Sequence, residues 1–290
     1  MNQIKVKKEP IFIIIPVYNR KNITLKCIGI LKENGDLDKY HVIVVDDGST
    51  DGTSEALNSL YPDIIILRGN GNLWWTGSIR MGMEYAYKHN ANFIILLNDD
   101  CYPQRNTISK LLIKAKLNCF SIIGVQCLDP DTYKPNYGGI ITKNNRIEFT
   151  NEFENLSSEI ECDGLNGNLL CIPSNVIDVI GYPDSVNFPH HFGDFIYTNL
   201  AKKNNYKLIL CKDISALCSY ESKGIESFKR QALLIKLFQS FFHPNSQFYW
   251  KTEIKAYIQL FGLKGVYFYF YKRFILSTIK LVIYLIRLPT

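Results

Sequence analysis

Two short polar stretches in this sequence each follow a continuous apolar run, and both carry groups suited to oxygen chemistry. Asp46-Asp47-Gly48-Ser49-Thr50-Asp51-Gly52-Thr53 follows VIVV, and Asn98-Asp99-Asp100 follows FIILL. A carboxylate at a strand end can accept a hydrogen bond from a nucleobase N–H or a ribose hydroxyl. Gly48 permits the tight turn that exposes it, and the Ser, Thr and Asp residues beyond supply an N-cap for a following helix. A well-made strand-to-helix turn accounts for 49–53, but not for two adjacent acids where one cap suffices. Carboxylates at the second strand end suit Mg2+ or Mn2+, hard ions that prefer oxygen. Such an ion bridges diphosphate oxygens and stabilises charge on a departing nucleotide. Alone, Asn-Asp-Asp is also ordinary turn chemistry.

The elements that must position these groups are legible in the periodicity. Residues 11–17 (IFIIIPV) read as a strand buried on both faces. A helix over Asn22 to Leu31, a strand over His41 to Val45, a helix over Ser54 to Leu60 and a strand over Ile64 to Leu67 follow. A helix near Ser78 to Lys88, a strand over Phe93 to Leu97 and a helix over Thr107 to Lys116 complete the series. This alternation predicts a parallel sheet with helices on both faces, in which ligands bind at the carboxyl ends of the strands. PVYNR, DDGSTDGT and NDD all fall at such ends. From about 121 to 215 the pattern changes to short strands, Gly/Pro turns and one helix, Asp194 to Lys203.

The 290 residues carry 33 basic and 27 acidic side chains, a net +6, with 47% apolar and 13% aromatic residues. That composition excludes disordered, collagenous and low-complexity chains. The eight cysteines show no C-x2-C spacing and read as buried small residues of a reduced, cytoplasmic protein. The N-terminus is polar and predicts no secretory signal. Charge is uneven. Ten Lys and Arg face two acids across residues 224–290, a net of +8, which leaves −2 for residues 1–223. The longest apolar stretch there, Phe274 to Ile286, is broken by Lys280 and is short of the roughly 20 residues a spanning helix needs. Basic, aromatic and apolar residues together suggest a helix on an anionic membrane surface; a core-packing helical appendage is the alternative. Nucleic acid is not an expected partner.

Taken in order, IIIPVYNR (13–20), VIVVDDGSTDGT (42–53), GNGNLWWTGSIRMGMEYA (69–86), FIILLNDDCYP (93–103), DGLNGNLLCIPSNVIDVIGYPDS (163–185) and FGDFIYTNLAKKNNYK (192–207) resemble the family 2 glycosyltransferases, with bacterial rhamnosyltransferase-like members among the similar ones. The resemblance covers roughly residues 10–215. It implies the GT-A fold, an α/β arrangement with a mostly parallel central sheet flanked by helices, here over residues 1–223. Residues 224–290 would form a basic, aromatic-rich C-terminal helical extension. It implies that Pro16, Val17 and Tyr18 line a nucleotide pocket, that Asp47 with Asp46 beside it holds the base and ribose, and that Trp75, Gly77 and Asp99 lie near the nucleotide. The family's metal triplet has acids at its first and third positions. The first is Asn98 here, so Asp100 carries the Mg2+ or Mn2+ contact.

The same resemblance makes Asp194 the general base, in a motif whose second acid is Ile196 here. Without it, Asp194 reads as a helix N-cap. His190 and His191 would contact diphosphate or acceptor, or be surface loop residues. Trp74 and Trp75 would stack on a base or sugar, with one of the pair packed in the core. Asn166 would line the acceptor or donor-sugar pocket, with a plain turn as the alternative, and Asp184 would be structural. An acceptor hydroxyl must lose its proton as the new bond forms, and one carboxylate within hydrogen-bond reach suffices.

The resemblance therefore implies an inverting transfer of one sugar from a nucleotide-diphosphate sugar, dTDP-rhamnose or a UDP-hexose. The acceptor would be a glycan or lipid-linked hydroxyl in bacterial surface polysaccharide synthesis, at the cytoplasmic face of the membrane. A sugar-phosphate nucleotidyltransferase and a non-catalytic membrane-surface module are the rival readings.

Overall fold

The computed structural model describes residues 8–143, 146–150, 157–219, 242, 246 and 249–271. Two compact units divide the chain: Met1–Lys143 with Ile147–Ser222, and Asn144–Arg146 with Lys223–Thr290. Along residues 8–128 the order is β1 (Ile11–Val17), α1 (Lys21–Glu33), α2 (Asp36–Lys39), β2 (His41–Asp46), α3 (Thr53–Leu60), β3 (Ile65–Arg68), α4 (Trp74–Lys88), β4 (Phe93–Leu97), β5 (Cys101–Pro103), α5 (Thr107–Leu117) and β6 (Ser121–Leu128). Then come β7 (Pro135–Tyr137), β8 (Gly139–Lys143), β9 (Arg146–Phe149), β10 (Glu159–Glu161), β11 (Gly164–Leu165), β12 (Leu169–Pro173), α6 (Asn175–Ile180), α7 (Gly193–Lys203) and β13 (Lys207–Cys218).

The main sheet has the strand order β10-β13-β6-β12-β4-β1-β2-β3, with β5 paired to β13 and β7 to β6. β3, β2, β1 and β4 are mutually parallel, β12 runs against both β4 and β6, and β13 is parallel to β6. A smaller sheet joins β11, β8 and β9.

Side-chain alternation along each strand feeds two cores. Ile11, Ile13, Ile15 and Val17 of β1 enter one, with Val42 and Val44 of β2 and Ile95 and Leu97 of β4, against α1, α3 and α5. Phe12 and Ile14, Ile43 and Val45, and Ile94 and Leu96 enter the other, against α4, α6 and α7. Both faces are covered, which is why these strands read as unbroken apolar runs. Each fully buried Ile or Leu contributes about 1.5–3 kcal/mol of transfer free energy. In β13 the register slips between Cys211 and Ser215. Cys211 and, past the slip, Ala216 and Cys218 consequently all serve the same core despite their opposite parity.

β1 lies between β2 and β4, so the chain leaves it toward β2 and β3 and returns on its other side. That reversal opens a crevice at the carboxyl ends of β1, β2 and β4, where the three polar stretches sit.

The structure departs from the periodicity in several places, among them α2 and β5, which it did not mark. α4 begins at Trp74, four residues before the expected Ser78. α6 was not anticipated. β13 spans 12 residues where short strands were expected.

The second unit's described helices are α8 (Trp250–Phe261) and α9 (Lys264–Phe270). Tyr257 meets Tyr269 edge-on at 6.0 Å, and Phe261 meets Phe268 at 5.7 Å. Leu263, Tyr267, Phe270 and Tyr271 are exposed. Among the described residues no helix is long and apolar enough to cross a membrane. The stretch Phe274 to Ile286, and most of the basic residues beyond 223, lie outside them.

Candidate active site

The turns after β1 and β2 are laced together. Asn19, in the left-handed region at φ 51°, donates its N–H to Ser49 Oγ at 2.8 Å, and its side-chain oxygen accepts the Thr50 N–H at 2.8 Å. Asp46 is buried inside its own turn: one oxygen accepts the Ser49 N–H at 2.8 Å and the other the Ser54 hydroxyl. It shapes the turn and does not line the cleft. Gly48 sits at φ +79°, and a Cβ there would lie 3.1 Å from the Gly71 nitrogen, so the turn both needs the left-handed conformation and abuts the next loop.

Asp47 accepts the backbone N–H groups of Gly71 (2.8 Å), Leu73 (2.9 Å) and Trp74 (2.9 Å). A carboxylate from another loop thus satisfies the otherwise orphaned donors at the start of α4, which accounts for that helix beginning four residues early. Trp74 itself takes φ 57°, an unfavourable setting for a bulky residue that the three Asp47 bonds hold in place. A cleft of about 310 Å³ opens beside it, lined by Pro16, Val17, Tyr18, Arg20, Asp47, Gly71, Trp74, Trp75, Ser78 and His190. Gly77, expected near the nucleotide, is buried in the first turns of α4 against Leu73.

At the end of β4, Asn98 accepts the Trp75 indole N–H at 2.7 Å and donates its amide to Asn168 Oδ1 at 2.6 Å. Asp99 is buried with both oxygens engaged: it accepts the Thr24 hydroxyl at 3.0 Å and pairs with Arg20 at 3.2 Å. Burial pushes its carboxyl up to about 6, with Arg20 opposing that shift. Asp100 remains partly exposed and pairs with the same guanidinium at 2.8 Å. The donors here suit a hard divalent ion, since one outward carboxylate plus phosphate oxygens is a usual Mg2+ set. Such an ion fits at Asp100, while the oxygens of Asn98 and Asp99 are already engaged.

Asp194 lies in the first turn of α7. Its oxygens accept the Gly167 N–H at 2.7 Å and the Phe195 N–H at 2.8 Å. Desolvation raises its carboxyl above the usual range, and these bonds partly offset the rise. Gly167 is obligatory here for contact reasons: an added Cβ would stand 2.4 Å from the Trp75 ring and 3.1 Å from Asp194 Cβ. Trp75 therefore borders the cleft, bonds Asn98 and rests on the residue that holds Asp194. His190 tilts over Trp74 with ring centroids 5.9 Å apart and meets His191 at 4.5 Å. Asn166 accepts the Asn168 N–H at 3.0 Å and donates its own N–H to Gly138 O, as a turn residue does. Asp184 caps a turn by accepting the Val186 and Asn187 N–H groups.

Arg20 is a site residue that sequence reasoning did not single out, and at Gly167, beside Asn166, it left a pocket position or a plain turn open without the contact to Trp75. Arg20 ends the turn after a buried strand, but its acidic partners lie 79 and 80 positions away. The cysteines are buried except Cys119, and Cys101, Cys127 and Cys218 converge with sulfurs within 4.8 Å of one another. Their sequence spacing concealed this because β5, β6 and β13 become neighbours only in the sheet.

Comparison with known proteins bears on this arrangement. Glycosyltransferase AglE of Haloferax volcanii is 25% identical over 212 residues, 70% of this chain and 64% of that protein. The chain thus spans less than two thirds of that relative. A mannosyltransferase from Pyrobaculum calidifontis, solved with GDP-Man and Mn2+, superposes with a TM-score of 0.56 at 14% identity, covering 90% of this chain and 73% of that one. GalNAc-T7, solved with UDP, GalNAc and Mn2+, gives 0.57 at 11% identity over 85% of this chain and 50% of its own. These superpositions establish the GT-A fold. The model of glycosyl transferase family 2 matches residues 12–164, more than half the chain, and the protein belongs to that family.

Proposed function

We propose that the protein transfers one sugar from a nucleotide-diphosphate sugar to an acceptor hydroxyl with inversion at the anomeric centre. The observation that carries this reading is the shared wall formed by Trp75. Its ring borders the cleft beside Asp47 and lies against Gly167, whose N–H donates to Asp194. A nucleotide in the cleft and a hydroxyl near Asp194 would be neighbours.

In this reading Pro16, Val17 and Tyr18 flank the base and ribose, and Asp47 fixes the 71–74 loop against them. The Asp194 carboxylate takes the acceptor hydroxyl proton on the face opposite the nucleotide. Asp100 would hold a Mg2+ or Mn2+ ion, which when bound neutralises the leaving diphosphate. His190 and Trp74 close the rim of the cleft over the diphosphate or acceptor. The Mn2+-containing relatives support the choice of ion. The donor would be dTDP-rhamnose or a UDP-hexose, and the acceptor a glycan or lipid-linked hydroxyl of a surface polysaccharide. Residues 1–223 would act as the catalytic domain and the basic segment 224–290 as a contact to an anionic membrane surface from the cytoplasmic side.

The test is a panel of nucleotide sugars assayed for hydrolysis and transfer with Mn2+, with product configuration read by NMR. Asp194→Asn is expected to bind the donor normally and to lose transfer. Near-normal turnover by this variant, or a product with retained configuration, would reject the reading.

A further inference from the structure

Arg20 stands in an unusual position for a cleft residue. One guanidinium nitrogen pairs with Asp99 at 3.2 Å and the other with Asp100 at 2.8 Å. The two acids differ. Asp99 is buried and also accepts from Thr24, so it is a fixed anchor. Asp100 has about a third of its side chain exposed, as Arg20 does. The Arg20 backbone is pinned at the head of α1, where its carbonyl accepts the Thr24 N–H at 2.9 Å. The side chain extends from this hydrogen-bonded backbone and lines the cleft beside Tyr18 and Asp47.

We infer that Arg20 is a built-in counter-ion that makes metal binding conditional on the donor: its guanidinium, paired with Asp100, turns onto the phosphate oxygens of an arriving diphosphate and so leaves Asp100 to hold a divalent ion. This rests on the glycosyltransferase reading and adds a role that the acidic triplet does not itself supply. The physical reason is charge. A guanidinium and a divalent ion sharing one carboxylate repel each other, which at a few ångströms opposes metal entry even in a water-like medium. A diphosphate removes the conflict, because it offers both cations oxygens, and a planar guanidinium matches phosphate geometry bidentately. Metal and diphosphate binding are then coupled, and the coupling is reciprocal.

The experiment measures Mn2+ affinity by electron paramagnetic resonance with and without UDP, dTDP or GDP, and nucleotide affinity by titration calorimetry with Mn2+ present. It compares the 290-residue chain with its Arg20→Gln and Arg20→Lys variants. Wild type is expected to bind Mn2+ weakly alone and much more tightly with nucleotide. In Arg20→Gln, Mn2+ alone binds roughly tenfold more tightly. Nucleotide with Mn2+ binds about ten- to a hundredfold more weakly, and the coupling between the two ligands shrinks. Arg20→Lys keeps the charge without the fork, so it retains part of the coupling and covers the case in which Arg20→Gln fails to fold. A coupling factor equal to wild type in a folded variant would overturn the counter-ion role and leave the glycosyltransferase reading standing. Failure of wild type to bind any of the three nucleotides would overturn both.

Discussion

The indole N–H of Trp75 donates to the side-chain oxygen of Asn98 at 2.7 Å, joining the start of α4 to the end of β4. The same ring rests against Gly167, so one side chain ties three separate loops. Trp75→Phe keeps the packing surface and removes the donor, leaving the Asn98 oxygen short of a partner. The expected cost is about 1–2 kcal/mol, read as a lower urea midpoint, together with slower transfer because Gly167 and Asp194 lose a support. An unchanged midpoint would show that the bond contributes nothing.

Asp47 accepts three backbone N–H groups from one loop. In Asp47→Asn one oxygen is replaced by an amide that confronts donors with donors. The loop around Trp74 should loosen, with a stability loss of about 2–3 kcal/mol and at least a tenfold weaker nucleotide affinity. Calorimetry that finds the wild-type dissociation constant would remove Asp47 from the donor site.

The raised carboxyl of Asp194 has a kinetic consequence. A base works only when ionised, so transfer should increase with pH through a value above the ordinary Asp range and fall away on the acid side. A profile of log kcat against pH checks this. An acid limb at the usual carboxylate value would contradict the desolvated setting.

Asp36, buried in α2, is pushed up to about 6 by burial, with Lys39 opposing. Its folded-state value exceeds the unfolded one of about 3.9, so the native protein binds more protons between them. Stability should therefore decline as pH rises from about 4 to 6, by roughly 2–3 kcal/mol, and level off above. Asp36→Asn removes that contribution. Parallel midpoint-versus-pH curves for the two proteins would refute it.

Lys251, Lys255 and Lys264 are the exposed cations of α8 and α9. If the second unit meets an anionic surface, each contributes about 1 kcal/mol, and changing all three to Gln should weaken binding to phosphatidylserine vesicles by tenfold or more at moderate salt. Equal co-sedimentation of both proteins would argue for a different role.

The sheet from β1 to β4 was readable because apolar β-branched runs buried on both faces have few other solutions, and the polar residues that end them stand out. The acids at 47, 100 and 194 could be named but not oriented. Adjacent acids can differ completely in this: Asp46 bonds within its own turn, to Ser49 and Ser54, whereas Asp47 bonds a loop some 24–27 positions on. The start of α4 was misplaced because its cap comes from Asp47, 27 positions before Trp74, and no local signal carries that. Gly167 looked like a turn residue, and its real constraint, the Trp75 ring, exists only after folding.

The register slip in β13 has a bearing on how this chain tolerates changes of length. In a strand whose alternate residues serve opposite cores, one added or lost residue would exchange the two sets and expose the misfit at every later position. Residues 212–214 already stand outside the pairing with β6. Insertions or deletions tried there should be accepted where the same change within β1 or β4 abolishes expression, making this the natural place for the domain to vary in size.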